Sequence, residues 1–292
     1  MRLCPACGAS LDGRTWQCPS CRASYDTDGP YIDLICDQLG RAEYARPITG
    51  IAERLLHPEE GHFWFEERAR LVAWMIAKSF PTATNLLDVG CGTGHVLSRI
   101  AEQIPHLAIS GGDVSGSSLV EARRWLPTVP LYRMAVENVP FESEFDVICC
   151  LDVLEHLDDD AKALHEMHRA VKPQGGLVLT VPQHPYLWSS HDLCSGHVRR
   201  YTWQSLSKVL SRTGWEVLYT SSFVTFLLPM MIVSRMRVRR ARTEVSSLEL
   251  APPPIVNTLL RMVMRFERLL LERGARFPVG GSRIVVARRC HG

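Results

Sequence analysis

Two hydrophobic periods alternate along this chain of 292 residues, and the switches between them mark its elements. Between Glu59 and Ile76 the apolar positions 64, 65, 71, 72, 75 and 76 follow a helical spacing; Arg68 interrupts the stripe and Pro81 lies past its end. Short apolar runs then recur at 86–89, 109–114, 131–135, 145–151, 177–182, 215–220 and 282–288, and each reads as a strand. Helical stretches at 95–101, 159–171 and 203–212 separate them; Asp158 and Thr202 are the expected caps of the last two, and 172–176 stops the middle one. The run Phe145–Leu151 is nearly all apolar, as a parallel strand covered on both faces requires. The alternation predicts an α/β fold, a seven-stranded doubly wound sheet over 59–222 that takes its last strand from 280–292.

Two stretches break the alternation. Residues 1–35 show no period and read as a separate module, with 36–58 as a linker containing helical pieces. Residues 223–279 are inserted before the last strand. They open with an apolar run at 223–233, continue with Arg235, Arg237, Arg239, Arg240 and Arg242, and pass through Pro252–Pro254. An amphipathic helix then runs from Ile255 to about Arg273, with apolar positions 255, 256, 259, 260, 263, 266 and 270 on one face.

Composition narrows the class. A hydrophobic share of 46% and a charged share of 22% suit a globular protein with a full core. A net charge of +2 gives no reason to expect a polyanion partner. No apolar run reaches the ~18–20 residues of a membrane span, and the first residues lack the apolar core of a secretory signal. The expectation is a cytoplasmic protein with reduced thiols. In that setting Cys4-Pro-Ala-Cys7 and Cys18-Pro-Ser-Cys21 form two CxxC knuckles, the spacing of a four-thiolate structural zinc site; disulfides or redox thiols are the alternative. The zinc would close a segment too short to fold on its own apolar residues. Cys36, Cys91, Cys149, Cys150, Cys194 and Cys290 have no paired spacing and read as structural thiols. Tyr31–Ile35 is expected to lay an edge strand on this zinc ribbon.

The chemistry concentrates at Leu86-Leu87-Asp88-Val89-Gly90-Cys91-Gly92-Thr93-Gly94. A strand ends in an acid, glycines follow at every second position, and a helix begins at once, so the main chain is bared at a sharp turn. A second strand ends in Asp113, where a doubly wound sheet offers a carboxylate to a ribose diol. This pattern resembles the class I S-adenosylmethionine-dependent methyltransferases over residues ~60–222 and 280–290. The resemblance implies a Rossmann-like fold and S-adenosylmethionine as cofactor. It places Asp88, Gly90, Gly92, Gly94, Asp113, Val114 and Leu151 at the cofactor, with the Val136–Phe141 turn, including Glu137 and Asn138, beside the adenine. Many relatives carry an acid where this chain has Ala135, so backbone groups near Val136 and Glu137 take that contact here. The helix over 59–76 covers the cofactor in such enzymes; its Phe63-Trp64-Phe65 run is either a buried knot or a flap from which Arg68 or His62 reaches the methionine carboxylate.

The loop 184–202 overhangs the methyl-transfer centre in that fold, and its Gly-His-x-Arg-Arg-Tyr-Thr portion resembles a subgroup acting on glycan, lipid or secondary-metabolite substrates. His156 and His197 are the candidate general bases for O-methylation of a small-molecule, glycan or lipid-linked acceptor. Asp152, Glu155 and His156 are similar to the ExxEH of ubiquinone-pathway O-methyltransferases, which hold a divalent ion there, but the first acid is Asp in this chain. The insertion reads as a helical lid over an apolar acceptor or as a peripheral membrane contact through 223–273. Two rival functions stay open: a ribosomal-RNA base methyltransferase that grips RNA with its ribbon, and a non-catalytic cofactor-binding scaffold. The chain has no Asn-Pro-Pro-Tyr base pocket and little net charge, so nucleic acid is not an expected partner. Pattern alone assigns no oligomeric state.

Overall fold

A computed structural model describes residues 1–12, 15–35, 59–241 and 252–290, with the side chains of 238–241 excepted. The linker 36–58 with Cys36, residues 242–251 of the insertion and the last two residues fall outside the description, as do the side chains of Arg239, Arg240 and Arg242.

The strands are β1 (Ile32–Asp33), β2 (Asn85–Val89), β3 (Ala108–Asp113), β4 (Leu131–Arg133), β5 (Phe145–Leu151), β6 (Val171–Pro182), β7 (Trp215–Phe223) and β8 (Ser282–Arg289). They form one sheet in the order β1-β4-β3-β2-β5-β6-β8-β7, parallel except for β8. The seven expected strands are all present. The eighth comes from the N-terminal module: β1 keeps one bond to it, Asp33 N donating to Asp26 O at 3.3 Å, and pairs Ile32 with Tyr132 and Asp33 with Arg133, extending the main sheet. An ion pair of 3.1 Å between Arg133 and Asp33 closes that edge.

Helices α1 (Phe63–Ser79), α2 (His95–Gln103) and α3 (Gly116–Trp125) cover one face; α4 (Asp160–Ala170) and α6 (Trp203–Arg212) cover the other. Alternate strand residues feed the two cores: Leu86, Val147 and Cys149 pack with α1 and α2, while Leu87, Ile148 and Cys150 pack with α4 and α6. This is why the β5 run has no polar phase. His62, Ser115 and Thr202 cap α1, α3 and α6 with their side chains, and α4 is capped by Asp159, one residue later than the pattern suggested.

Between β7 and β8 stand α7 (Leu228–Ala241) and α8 (Pro254–Glu272). The inward face of α8 is Met264, Glu267 and Leu271, against α1; Ile255, Val256, Leu259 and Phe266 of the apolar stripe are exposed. The buried Glu267 carboxylate accepts from the backbone N–H groups of Thr225 (2.8 Å) and Phe226 (2.9 Å), so it binds the approach to α7. Asn257 of α8 clamps the corner before α1, accepting from Phe63 N at 2.9 Å and donating to Gly61 O at 2.8 Å. No described helix is long and apolar enough to cross a membrane.

Candidate active site

The chain order of the strands reverses beside β2, which has β3 on one side and β5 on the other. In an open α/β sheet a ligand binds at this crevice, outside the strand carboxyl ends. Asp88 lies within the last turn of β2, buried, and its Oδ1 has no hydrogen-bond partner. Burial pushes its carboxyl up to about 7, against the pull of the Arg68 charge. An orphaned buried carboxylate at this position fits an ammonium ligand. Gly90 and Gly94 hold φ of +74° and +78°, and a Cβ at Gly90 would lie 2.3 Å from Val153 Cγ2. Gly92, also left-handed, faces open space, with nothing within 4 Å of a Cβ built there, which leaves the main chain free for a ligand.

Asp113, at the end of β3, ties the loop to the sheet. Its carboxylate accepts from Gly92 N at 2.9 Å and Ser115 N at 2.8 Å; burial raises its pKa although these N–H groups oppose it. Val114 follows, its carbonyl accepting from Arg133 Nε. Met134 N donates to Asp113 O, which brings the 136–138 turn alongside. Glu137 is half-buried there, and Asn138 donates its amide to Pro5 O of the cysteine module at 3.4 Å. Leu151 ends β5, buried.

Beyond Leu151 the chain turns through Asp152, whose φ of +57° is unusual for a residue with a Cβ. Arg68 of α1 pairs with its carboxylate, and Thr180 donates to the same oxygen at 3.0 Å. The guanidinium also lies 4.1 Å over the Trp64 ring. The rings of the aromatic run are partly buried, and the arginine held against Trp64 meets the end of β5. His62 is committed to capping α1. Glu59 bonds Thr93 of the glycine loop, a contact that no motif announced.

His156 and His197 come together, with ring centroids 4.8 Å apart. His156 keeps an exposed edge, and the packing around the rest of its ring, then the like charge of His197, lowers its pKa below the usual imidazole value. Nδ1 of His197 lies 3.0 Å from Asp192 Oδ1, and Arg200 Nε donates to the same oxygen at 2.6 Å. Burial alone would raise Asp192, but the His197 bond and the Arg200 charge outweigh it and hold the carboxyl well below the usual range. An ionised carboxylate only accepts, so Nδ1 of His197 carries a proton, and Nε2 is the nitrogen not engaged by Asp192. The Gly-His-x-Arg-Arg-Tyr segment is a clamp on this arrangement. Val198 N donates to Glu155 O at 2.7 Å, Tyr201 donates to Asp160 at 2.7 Å, and Arg199 pairs with Asp160 at 3.1 Å. Asp192 sits at the centre of a capping box in the short helix α5 (Ser190–Cys194), too brief to show a period. Glu155 is fully buried with both carboxylate oxygens unpartnered, and burial, with Asp152 beside it, pushes its pKa well above the usual range. Glu155, His156 and His197 each bring one ligand atom within 4.8 Å of the others.

In the N-terminal module, Cys4, Cys7, Cys18 and Cys21 converge within 4.8 Å, with Sγ···Sγ distances of 3.7 Å (Cys4–Cys21) and 3.6 Å (Cys7–Cys18). A tetrahedral ion with Zn–S near ~2.3 Å separates its sulfurs by roughly 3.8 Å, so the four residues fit zinc. The knuckles repeat each other: Gly8 N donates to Cys4 O and Arg22 N to Cys18 O, and both Gly8 and Arg22 are left-handed. Cys91, Cys149 and Cys150 are buried, and their thiols are pushed well up by desolvation, as structural thiols should be.

A family model described as a methyltransferase domain matches residues 55–220. A dTDP-4-amino-2,3,4,6-tetradeoxy-D-glucose N,N-dimethyltransferase from Saccharopolyspora spinosa is 28% identical over 167 residues, 56% of this chain and 64% of that protein. A ubiquinone biosynthesis O-methyltransferase from Pseudomonas paraeruginosa is 31% identical over 129 residues, 42% of this chain and 50% of that protein. The chain thus spans half to just under two thirds of these relatives. Among solved structures, Haemonchus contortus phosphoethanolamine N-methyltransferase 2 in complex with S-adenosyl-L-methionine gives a TM-score of 0.51 at 18% identity, covering 78% of this chain and 53% of that one, a likeness of fold.

Proposed function

The chain belongs to the class I S-adenosylmethionine-dependent methyltransferases, and on that footing we propose that it transfers the methyl group of S-adenosylmethionine to a small-molecule, glycan or lipid-linked acceptor. The observation that carries the reading is the unpartnered, buried Oδ1 of Asp88 beside the open Gly92 turn, at the point where the sheet reverses. The names of the relatives, acting on a nucleotide sugar and in ubiquinone biosynthesis, support a small organic acceptor over RNA.

When bound, the cofactor supplies a sulfonium methyl that needs only an aligned nucleophile. The residues of this chain supply the rest. Asp88 and Asp113 hold the cofactor's ammonium and ribose, and the turn at Glu137 and Asn138 lies toward its adenine. Arg68 and Asp152 fix the floor where β5 ends. His197, held by Asp192, takes the proton of an acceptor hydroxyl through Nε2, and His156 lines the same spot. Residues 223–279 act as a lid whose α8 clamps the corner leading into α1. The four cysteines hold a structural zinc.

A second reading is favoured by the orphaned Glu155 carboxylate: Glu155, His156 and His197 hold a divalent cation that orients the acceptor. Methyl transfer from labelled cofactor to a panel of sugar nucleotides, phenols and polyprenyl glycans tests the main reading. His197→Ala should lower turnover by roughly 10²–10⁴ while S-adenosylhomocysteine still binds. Full turnover in that variant excludes the base, and a Glu155→Gln defect rescued by added divalent metal favours the second reading.

A further inference from the structure

The insertion leaves a face uncovered that a lone folded domain would bury. On α8, Ile255, Leu259, Met262 and Phe266 run along one stripe, exposed by 77%, 56%, 61% and 56%. Met230, Val233 and Met236 stand three residues apart on α7, each about half exposed. Phe226, before α7, joins the two helices: its ring centroid is 5.8 Å from that of Phe266 and 5.6 Å from that of Phe277. The Glu267 carboxylate, bonded to Thr225 N and Phe226 N, fixes the junction. A contiguous apolar surface of this kind marks an interaction site.

The charge around it selects the partner. Residues 223–279 hold ten arginines, no lysine and four glutamates, a balance of +6 (10 − 4), whereas the rest of the chain sums to −4 (2 − 6). Arg237 and Arg265 are exposed and have no acidic partner among the described residues. A second copy seated on this face would bring Arg237 and Arg265 against like charges. Neither helix, over its described residues, is long and apolar enough to cross a membrane. On α8, which is long enough but carries Arg261, Arg265, Glu267, Arg268 and Glu272, an apolar stripe flanked by arginine is the composition of a helix lying in the headgroup region.

We propose that the α7–α8 face docks on an anionic lipid surface, with the apolar side chains at the acyl boundary and Arg237 and Arg265 among the phosphates. The docking deepens the lipid-linked branch of the function above and rests on that reading only for the identity of the acceptor. Such a face would set the lid against the surface from which an amphiphilic acceptor arrives.

The test is flotation of the full chain with phosphatidylcholine vesicles, with and without phosphatidylglycerol, and S-adenosylhomocysteine titrated into the same samples. Docking predicts co-flotation only with the anionic vesicles, weakened by salt. Arg237→Ala and Arg265→Ala should each reduce it about fivefold, and Leu259→Ser with Phe266→Ser should abolish it while cofactor-product binding persists. A folded chain that binds S-adenosylhomocysteine but stays with the soluble fraction overturns the proposal. So does equal binding to neutral vesicles, or concentration-dependent dimers that the Leu259/Phe266 variant dissolves. Vesicle binding without methyl transfer to any lipid-linked glycan leaves the docking standing and removes the acceptor reading alone.

Discussion

Trp16 lets the tie between the cysteine module and the methyltransferase core be measured. Its side chain belongs to the module, yet it is 4% exposed because the core covers it. Its ring centroid lies 5.9 Å from Tyr132 on β4 and 6.0 Å from Phe141, and Phe141 in turn meets Phe145 of β5 at 5.1 Å. Around it, Leu3 N donates to Pro140 O at 3.0 Å and Glu142 N to Met1 O at 2.8 Å. Truncating a buried tryptophan costs about 3–5 kcal/mol, from lost burial and the cavity left behind. For a domain of this size, 1 kcal/mol moves Tm by roughly 2–4 °C, so Trp16→Ala should lower the calorimetric Tm by about 6–20 °C in one transition. Trp16→Phe, which keeps a ring against Phe141, should recover most of the loss. Because the same ring backs the 136–141 turn, affinity for S-adenosylhomocysteine should also fall several-fold. An unchanged core transition, with only a small early melt of the module, would refute the reasoning and make the ribbon an independent bead.

Zinc content should be about one per chain and vanish in Cys4→Ser with Cys21→Ser, read by elemental analysis. In contrast to a free-standing ribbon, this pair should also weaken S-adenosylhomocysteine binding, because Asn138 and Pro140 bond to Pro5 and Leu3. The Asp88 carboxyl, raised to about 7 in the free protein, must ionise to hold an ammonium. Binding then releases a proton, so S-adenosylhomocysteine affinity should fall by up to tenfold per pH unit below about 7 and level off above it. Asp88→Asn should bind weakly at every pH and lose the slope; an unchanged slope would move the titration to another group.

The parts of the fold legible in sequence are those whose cause is local. A strand buried on both faces has to be apolar throughout, and Phe145–Leu151 is. A strand-to-helix turn that bares its main chain needs left-handed residues, which is why the glycine loop announces itself. The strand β1 was expected within Tyr31–Ile35, but its partner was not legible, because two residues carry no period; it pairs with β4, where Trp16 also packs on Tyr132. The packed face of α8 was hidden for a related reason. Its pattern offered an apolar stripe, but the surface of α1 and the bare N–H groups before α7 selected Met264, Glu267 and Leu271, a face with a carboxylate in it. In the candidate site, the histidines were visible as residue types in suggestive places. Their setting was not, since Asp192 acts from a five-residue helix and Arg68 meets an acid 84 residues away.

The central claim is that the Asp88–Gly94 turn and Asp113 bind S-adenosylmethionine, and titration calorimetry with S-adenosylhomocysteine tests it most directly. Saturable one-to-one binding is predicted for the full chain. It should be lost in Gly92→Arg, which fills the open space facing the loop, and weakened in Asp113→Ala, which frees the loop from the sheet. No heat from a folded chain with either S-adenosylhomocysteine or S-adenosylmethionine, or equal binding in Gly92→Arg, would contradict it.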